Sequence, residues 1–222
     1  MLRRLPHSLY LGGMKYYLLP IFLLTLLLGA CRPEDRVARL SPSELYALPT
    51  INEDGSINAV IEIPAGTNVK LEYQTANERI TPDQLDGKDR VIDFLPYVGN
   101  YGFIPSTLMD AARGGDGDAL DVLVIGSTQP TGTRMKVKPI AIMQLRDSGE
   151  IDTKIIAVPT DPAQRVIQAE SFKELLIQYD GAKRIIETWF LSYKGLGTVE
   201  LLGWKDEQAA DLEIQKWRVE RE

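Results

Sequence analysis

Three carboxylates fall within six residues at Asp116-Gly117-Asp118-Ala119-Leu120-Asp121, and the last lies inside a run, Leu120 to Ile125, that otherwise reads as a buried apolar strand. A buried, unpaired carboxylate is costly, and acids converging at a strand end raise one another's pKa unless a cation compensates them. A divalent metal site is the economical reading of the cluster. It is not an EF-hand, which needs acids at loop positions one, three and five, Gly at six and Glu at twelve; here Asp121 and Ser127 occupy the sixth and twelfth positions. Taken alone, the segment also reads as an Asp/Gly-rich surface loop. A second acidic pair, Asp147 and Asp152, flanks the turn Ser148-Gly149-Glu150, with Lys154 on the same strand face as Asp152, although turns favour acids for conformational reasons. Glu62, Lys70 and Glu72 add charges to otherwise apolar strands, where a water-facing side of the sheet is the plain explanation.

Composition narrows the chemistry. The chain has 222 residues, 44% hydrophobic and 25% charged, which suits one globular domain and excludes disorder, collagen and a polytopic membrane fold. Its one histidine, His7, and its one cysteine, Cys31, both lie in the N-terminal stretch. The remainder therefore has no Ser-His-Asp triad, cysteine nucleophile, thiolate or imidazole zinc site, or disulfide. Carboxylates, Lys, Arg and Tyr are left, and hard cations such as Mg2+ or Mn2+ suit that set. The first thirty residues hold Arg3, Arg4 and Lys15 and no acid, so the rest carries 22 basic against 31 acidic residues, a net charge of −9. Such a surface argues against nucleic acid as a partner.

The N-terminus reads as an address. An apolar run from Tyr16 to Ala30, interrupted by Pro20 and Thr25, follows the basic residues, with Met14 as an alternative start. It is shorter than the roughly 20 residues that span a bilayer and suits a signal-peptide core. Leu28-Gly29-Ala30-Cys31 resembles the lipobox of bacterial lipoproteins, which implies cleavage before Cys31 and lipidation of its thiol; an uncleaved signal anchor is the alternative. Either reading makes the chain exported and membrane-anchored, on the periplasmic face of the inner or outer membrane. The expected organisation is a signal peptide over 1–30, a lipidated Cys31 with a tether over 31–50, and one domain over 51–222. Within the tether, Ser41-Pro42-Ser43-Glu44 predicts a capped short helix near 42–47.

Period-two alternation predicts strands at Ile57–Ile63 and Val69–Tyr73, a buried strand at Leu120–Ile125, and a hairpin from Met135–Leu145 and Asp152–Val158. Helical spacing follows Ser171 and Glu174, expected as a second capping box, then runs through Ile185, Ile186, Trp189, Phe190 and Tyr193 to Gly195, and again from about Asp206 through Ala210, Ile214 and Trp217. Strands first and helices afterwards predict an α+β domain, a strongly bent sheet or small barrel covered by helices.

Several segments together resemble the soluble family I inorganic pyrophosphatases. Asp116 to Val122 is similar to the family signature Asp-Gly-Asp-Pro-x-Asp-Val, with Ala119 in place of Pro. Ile61-Glu62-Ile63-Pro64, Val69-Lys70-Leu71-Glu72, Asn100-Tyr101-Gly102-Phe103-Ile104-Pro105, the Asp147, Asp152 and Lys154 spacing with Ala157-Val158-Pro159, and Tyr193-Lys194 follow the family order across roughly residues 55–205. Between Arg90 and Tyr97 the spacing is one residue shorter than the usual bacterial pattern.

The resemblance implies a small five-stranded OB-like β-barrel with flanking C-terminal helices, and hydrolysis of pyrophosphate to two phosphates. It implies that Asp116, Asp121 and Asp152 hold activating metals, that Asp147 and Glu62 hold metals arriving with substrate, and that Asp118 takes the proton from the attacking water. Lys70, Arg90, Lys154, Tyr193 and Lys194 are then phosphate-binding, and Tyr97 and Tyr101 orient reacting groups through their hydroxyls. Several Mg2+ ions per site are the implied cofactor, with Mn2+ and Zn2+ as alternatives, and a homo-oligomer, hexamer or smaller, is the implied assembly. Two other readings compete: hydrolysis of short polyphosphates or nucleotide diphosphates, and a non-catalytic phosphate- or metal-binding lipoprotein.

Overall fold

A computed structural model describes residues 40–219. The expected signal peptide, Cys31 and the first part of the tether lie outside the described residues.

Ten strands and four α-helices follow one another along the described chain: α1 (Pro42–Tyr46), β1 (Ile57–Ile63), β2 (Leu71–Gln74), β3 (Arg79–Pro82), β4 (Gln84–Leu85), β5 (Lys88–Asp89), β6 (Asn100–Phe103), β7 (Asp121–Val124), β8 (Arg134–Asp147), β9 (Glu150–Pro159), α2 (Phe172–Gln178), α3 (Asp180–Ser192), β10 (Val199–Asp206) and α4 (Glu207–Trp217). The main sheet runs β1-β6-β7-β9-β8-β10, and β1 also pairs with β8. That last pairing closes β1, β6, β7, β9 and β8 into a ring, the expected five-stranded barrel, and leaves β10 as an added edge strand on β8. Only β7 and β9 pair in parallel within the ring, Asp121 opposite Lys154.

The predicted hairpin forms as β8 and β9, and its turn places Ser148 at φ 52° and Gly149 at φ 97°. Two successive left-handed residues match the right-handed twist of the flanking strands. Gly102 in β6 is dictated by closeness to β1: a Cβ there would lie 1.9 Å from the Val60 carbonyl oxygen, so no other residue fits without moving a backbone.

Several expectations are corrected. A polar, water-facing side of β1 is absent, since all seven residues from Ile57 to Ile63 are buried. One side packs in a cluster with Ala210, Ile214 and Trp217 of α4. The other is covered at Val60 by Leu45, with Tyr46 and Tyr73 packed alongside. Strand β2 begins at Leu71 rather than Val69, because Val69 makes only an isolated bridge to Val91. The box at Ser171 is half formed: Ser171 Oγ accepts from the Glu174 amide, whereas the Glu174 carboxylate turns to the Glu170 amide. Helix α3 stops at Ser192 with Tyr193 as its cap, ahead of Gly195 at φ 97°.

Residues 40–50, the described part of the stretch expected as a tether, pack onto the barrel through Leu45, Tyr46 and Leu48. Its Ser41–Glu44 capping box forms in full, and Leu45 is 4% exposed. A buried leucine is worth about 1.5–3 kcal/mol, which offsets the poor stability of so short a helix. Among the described residues no helix is long and apolar enough to cross a membrane.

Candidate active site

The open end of the barrel carries a cavity of about 360 Å³ into which β1, β2, β6, β7, β8, β9 and the end of α3 each deliver side chains. Eleven of the thirteen chemistry-bearing residues expected from the domain sequence line it: Glu62, Lys70, Tyr101, Asp116, Asp118, Asp121, Asp147, Asp152, Lys154, Tyr193 and Lys194. Parallel pairing of β7 with β9 sets Asp121 beside Lys154, and the alternation along β9 puts Asp152 on the same face. The Asp116–Asp121 loop is clamped by Met109, whose N–H donates to the Asp118 carbonyl (2.7 Å) and whose carbonyl accepts from the Gly117 N–H (2.8 Å). Gly117 sits at φ +89°, and the Asp118 N–H donates to Asp116 Oδ1 at 3.0 Å. The loop therefore holds its shape without the proline that Ala119 replaces.

Lys154 is 4% exposed and bonds both Asp121 and Asp152, with its Nζ 5.5 Å from the centre of the Tyr101 ring. Burial alone would depress its pKa, but the Asp121 and Asp152 charges outweigh that and hold the ammonium charged well above the ordinary lysine range. Lys194 bonds Asp147 at the hairpin tip, which keeps that carboxyl below its usual range despite partial burial. Lys70 bonds Glu72, also in the cavity wall. Glu62, 6% exposed, accepts the Tyr73 N–H at 2.7 Å; burial, reinforced by Asp121 and Asp118, pushes its pKa up to about 8. Asp116 and Asp118 stand at the solvent-exposed mouth, yet crowding by the protein on their inner side and the charge of Asp121 raise both above the usual carboxylate range.

Eight carboxylates face three lysines around this one cavity. A polyanionic substrate entering it meets net negative charge, so the geometry calls for cations to accompany it. The donors are oxygens throughout, which fits hard divalent ions; Glu62, Asp116, Asp118, Asp121, Asp147 and Asp152 are the side chains able to hold them. Among the described residues no three acids converge as a ready-made cage, and the ammonium of Lys154 lies between Asp121 and Asp152.

Two expected residues stand back from the cavity. Arg90 is spent on Asp83 (3.1 Å), the carboxylate that Lys70 also approaches at 3.5 Å. Tyr97, 4% exposed, is wedged between Tyr101 and Trp189, with ring centres 5.3 and 4.5 Å away, and burial lifts its hydroxyl pKa well above normal. Conversely, Tyr46, Glu72, Tyr73, Phe103 and Glu150 line the cavity without having been singled out as site residues. Glu72 was legible as an unexplained charge in β2, whereas nothing in the spacing around Tyr46 could announce its position.

A five-stranded ring with an acid-and-lysine cavity at one end defines a small barrel built to handle a metal-accompanied polyanion. The model of the family "Inorganic pyrophosphatase" matches residues 59–221. The inorganic pyrophosphatase of Neisseria meningitidis is 37% identical over 174 residues, spanning 76% of this chain and 90% of that protein. The inorganic pyrophosphatase of Synechocystis is 36% identical over 173 residues, 75% of this chain and 92% of that one. The crystal structure of an inorganic pyrophosphatase from Neisseria gonorrhoeae superposes with a TM-score of 0.65 at 32% identity, covering 77% of this chain and 94% of the other; the structure from Thermus thermophilus gives 0.65 at 31%, with the same coverage. The chain belongs to the inorganic pyrophosphatase family and is an enzyme that hydrolyses inorganic pyrophosphate.

Proposed function

We propose that the protein is a Mg2+-dependent pyrophosphatase carried on an exported, lipid-anchored domain, and that the carboxylate-rich cavity is where it works. The supporting observation is the arrangement of eight acids and three lysines at one barrel end, with the Asp116-Gly117-Asp118 loop at its mouth. Asp116, Asp121 and Asp152 would hold the activating ions, and Asp147 and Glu62 those that come with pyrophosphate. When bound, such ions neutralise phosphate charge and make water acidic enough to attack near neutral pH. Asp118, raised above the usual carboxylate range, takes the proton from the attacking water as its oxygen bonds to one phosphorus and the bridging P–O bond breaks, giving two phosphates. Lys70, Lys154, Tyr193 and Lys194 hold phosphate oxygens, and Tyr101 orients the reacting groups by its hydroxyl. Arg90 and Tyr97 act by support, Arg90 by sharing Asp83 with Lys70 and Tyr97 by packing on Tyr101.

Phosphate release measured side by side on pyrophosphate, tripolyphosphate and ADP, each with Mg2+, tests the substrate. Pyrophosphate is expected to turn over at least about tenfold faster than either competitor. A faster rate on tripolyphosphate or ADP would reassign the substrate while leaving the chemistry.

The anchor rests on the sequence, the apolar run before Leu28-Gly29-Ala30-Cys31. A Cys31→Ser protein is expected in the soluble fraction with unchanged activity. Its retention in membranes would favour an uncleaved signal anchor.

A further inference from the structure

Residues 40–58 precede the part of the chain matched by the family model, which begins at residue 59, yet one of them, Tyr46, forms part of the cavity wall. Tyr46 lines the cavity, and its ring stacks on Tyr73 with centres 4.4 Å apart and planes 10° from parallel. The backbone N–H of Tyr73 is the group that donates to Glu62 Oε1 at 2.7 Å. Tyr46 is itself held in place by the loop at Pro105–Ser106. Ser106, held at φ 51°, donates its N–H to the Tyr46 carbonyl (3.3 Å) and its hydroxyl to the Leu48 carbonyl (2.8 Å), while Thr50 Oγ1 donates to the Pro105 and Ser106 carbonyls at 2.9 and 3.1 Å. A buried left-handed serine is retained only where its surroundings over-determine it, and here its N–H, hydroxyl and carbonyl all meet residues 46–50, the carbonyl also accepting the Val219 N–H at 2.9 Å.

We propose that Tyr46 is a positioning residue for the pyrophosphatase reaction: by stacking on Tyr73 it fixes the β2 amide that aims the Glu62 carboxylate into the cavity. The segment thus serves as a clasp between β2 and the loop ahead of the Asp116–Asp121 cluster. This rests on reading the cavity as the pyrophosphate-hydrolysing site.

A double-mutant cycle with Tyr46→Ala and Glu62→Gln tests it. Tyr46→Ala is expected to lower kcat/KM on Mg2+-pyrophosphate about tenfold, the scale of a displaced catalytic group, in the parent protein, and less than about twofold in the Glu62→Gln background. Tyr46→Phe, which keeps the ring, restores the parent rate. Amide hydrogen exchange at Tyr73 is expected to quicken in Tyr46→Ala and not in Tyr46→Phe, a readout independent of activity. Equal losses in both backgrounds, with Tyr73 exchange unchanged, would overturn the proposal and leave Tyr46 a packing residue. If Tyr46→Ala does not fold, Tyr46→Leu, which keeps apolar bulk over Val60 without a ring for Tyr73, is judged by the same criteria. A parent protein inactive on pyrophosphate would count against the functional reading, whereas the exchange measurement tests the Tyr46–Tyr73–Glu62 chain in either case.

Discussion

Asp118→Asn is expected to lower turnover on pyrophosphate by about 10²–10⁴-fold, the range for loss of a positioned general base, with unfolding barely changed. The reason for the split lies in how the loop is held. Its shape depends on the Asp118 carbonyl and N–H, which bond Met109 and Asp116, and on Gly117 at φ +89°; none of these involves the Asp118 carboxylate. That carboxylate stands exposed at the cavity mouth, its pKa raised by crowding and by Asp121, and in the proposed reaction it takes a proton rather than holding an ion. Asparagine keeps the volume and removes the capacity to take a proton. Steady-state phosphate release together with a denaturant melt checks both halves. Full activity in Asp118→Asn would remove it from the reaction.

Lys154→Met is expected to damage both stability and rate. The ammonium is 4% exposed and bridges Asp121 and Asp152, whose side chains are 24% and 15% exposed. Breaking a fully buried ion pair by deleting one partner costs about 3–5 kcal/mol. Because both carboxylates keep some contact with water, we expect about 2–3 kcal/mol here. The loss should shrink as Mg2+ is added, since a divalent ion between the two carboxylates restores the missing charge. Turnover stays low at any Mg2+ concentration, because the phosphate loses a cation that the ion does not replace. Denaturant melts of parent and variant across a Mg2+ series measure this. Equal stability of the two proteins without Mg2+ would show that the bridge is not a structural element.

The barrel was legible where alternation and turns coincide. The β8–β9 hairpin could be read because apolar stretches flank Ser148-Gly149, and β7 because Leu120 to Ile125 is apolar apart from Asp121. Strand β10 was missed because Val199–Asp206 mixes exposed Glu200 and Lys205 with Gly203 at φ +147° and a register shift against β8; an edge strand with a bulge carries little period-two signal. The four residues of β6 are too few for any period. The polar side assigned to β1 failed because its cover comes from elsewhere in the chain, α4 on one face and residues 45–46 near Val60 on the other.

Several residues of the candidate site were legible because their charges break the local apolar pattern. Charges in apolar strands, such as Glu62, Asp121 and Lys154, contradict local burial and so stand out. Arg90 and Tyr97, drawn in by order along the chain, do not line the cavity: Arg90 pairs with Asp83 and Tyr97 packs between Tyr101 and Trp189. Tyr46 was invisible because an aromatic after a short capped helix has no local signature of use, and its role depends on contacts with residues 27 and more positions away.

The most direct test of the account is phosphate release from pyrophosphate by purified residues 32–222, with Mg2+ and again with chelator in excess. Rapid release with Mg2+ and its collapse with chelator, restored by returning Mg2+, is the predicted result. Unchanged release in excess chelator would contradict it, because eight carboxylates and three lysines would then be hydrolysing a polyanion without the cations that their charge demands.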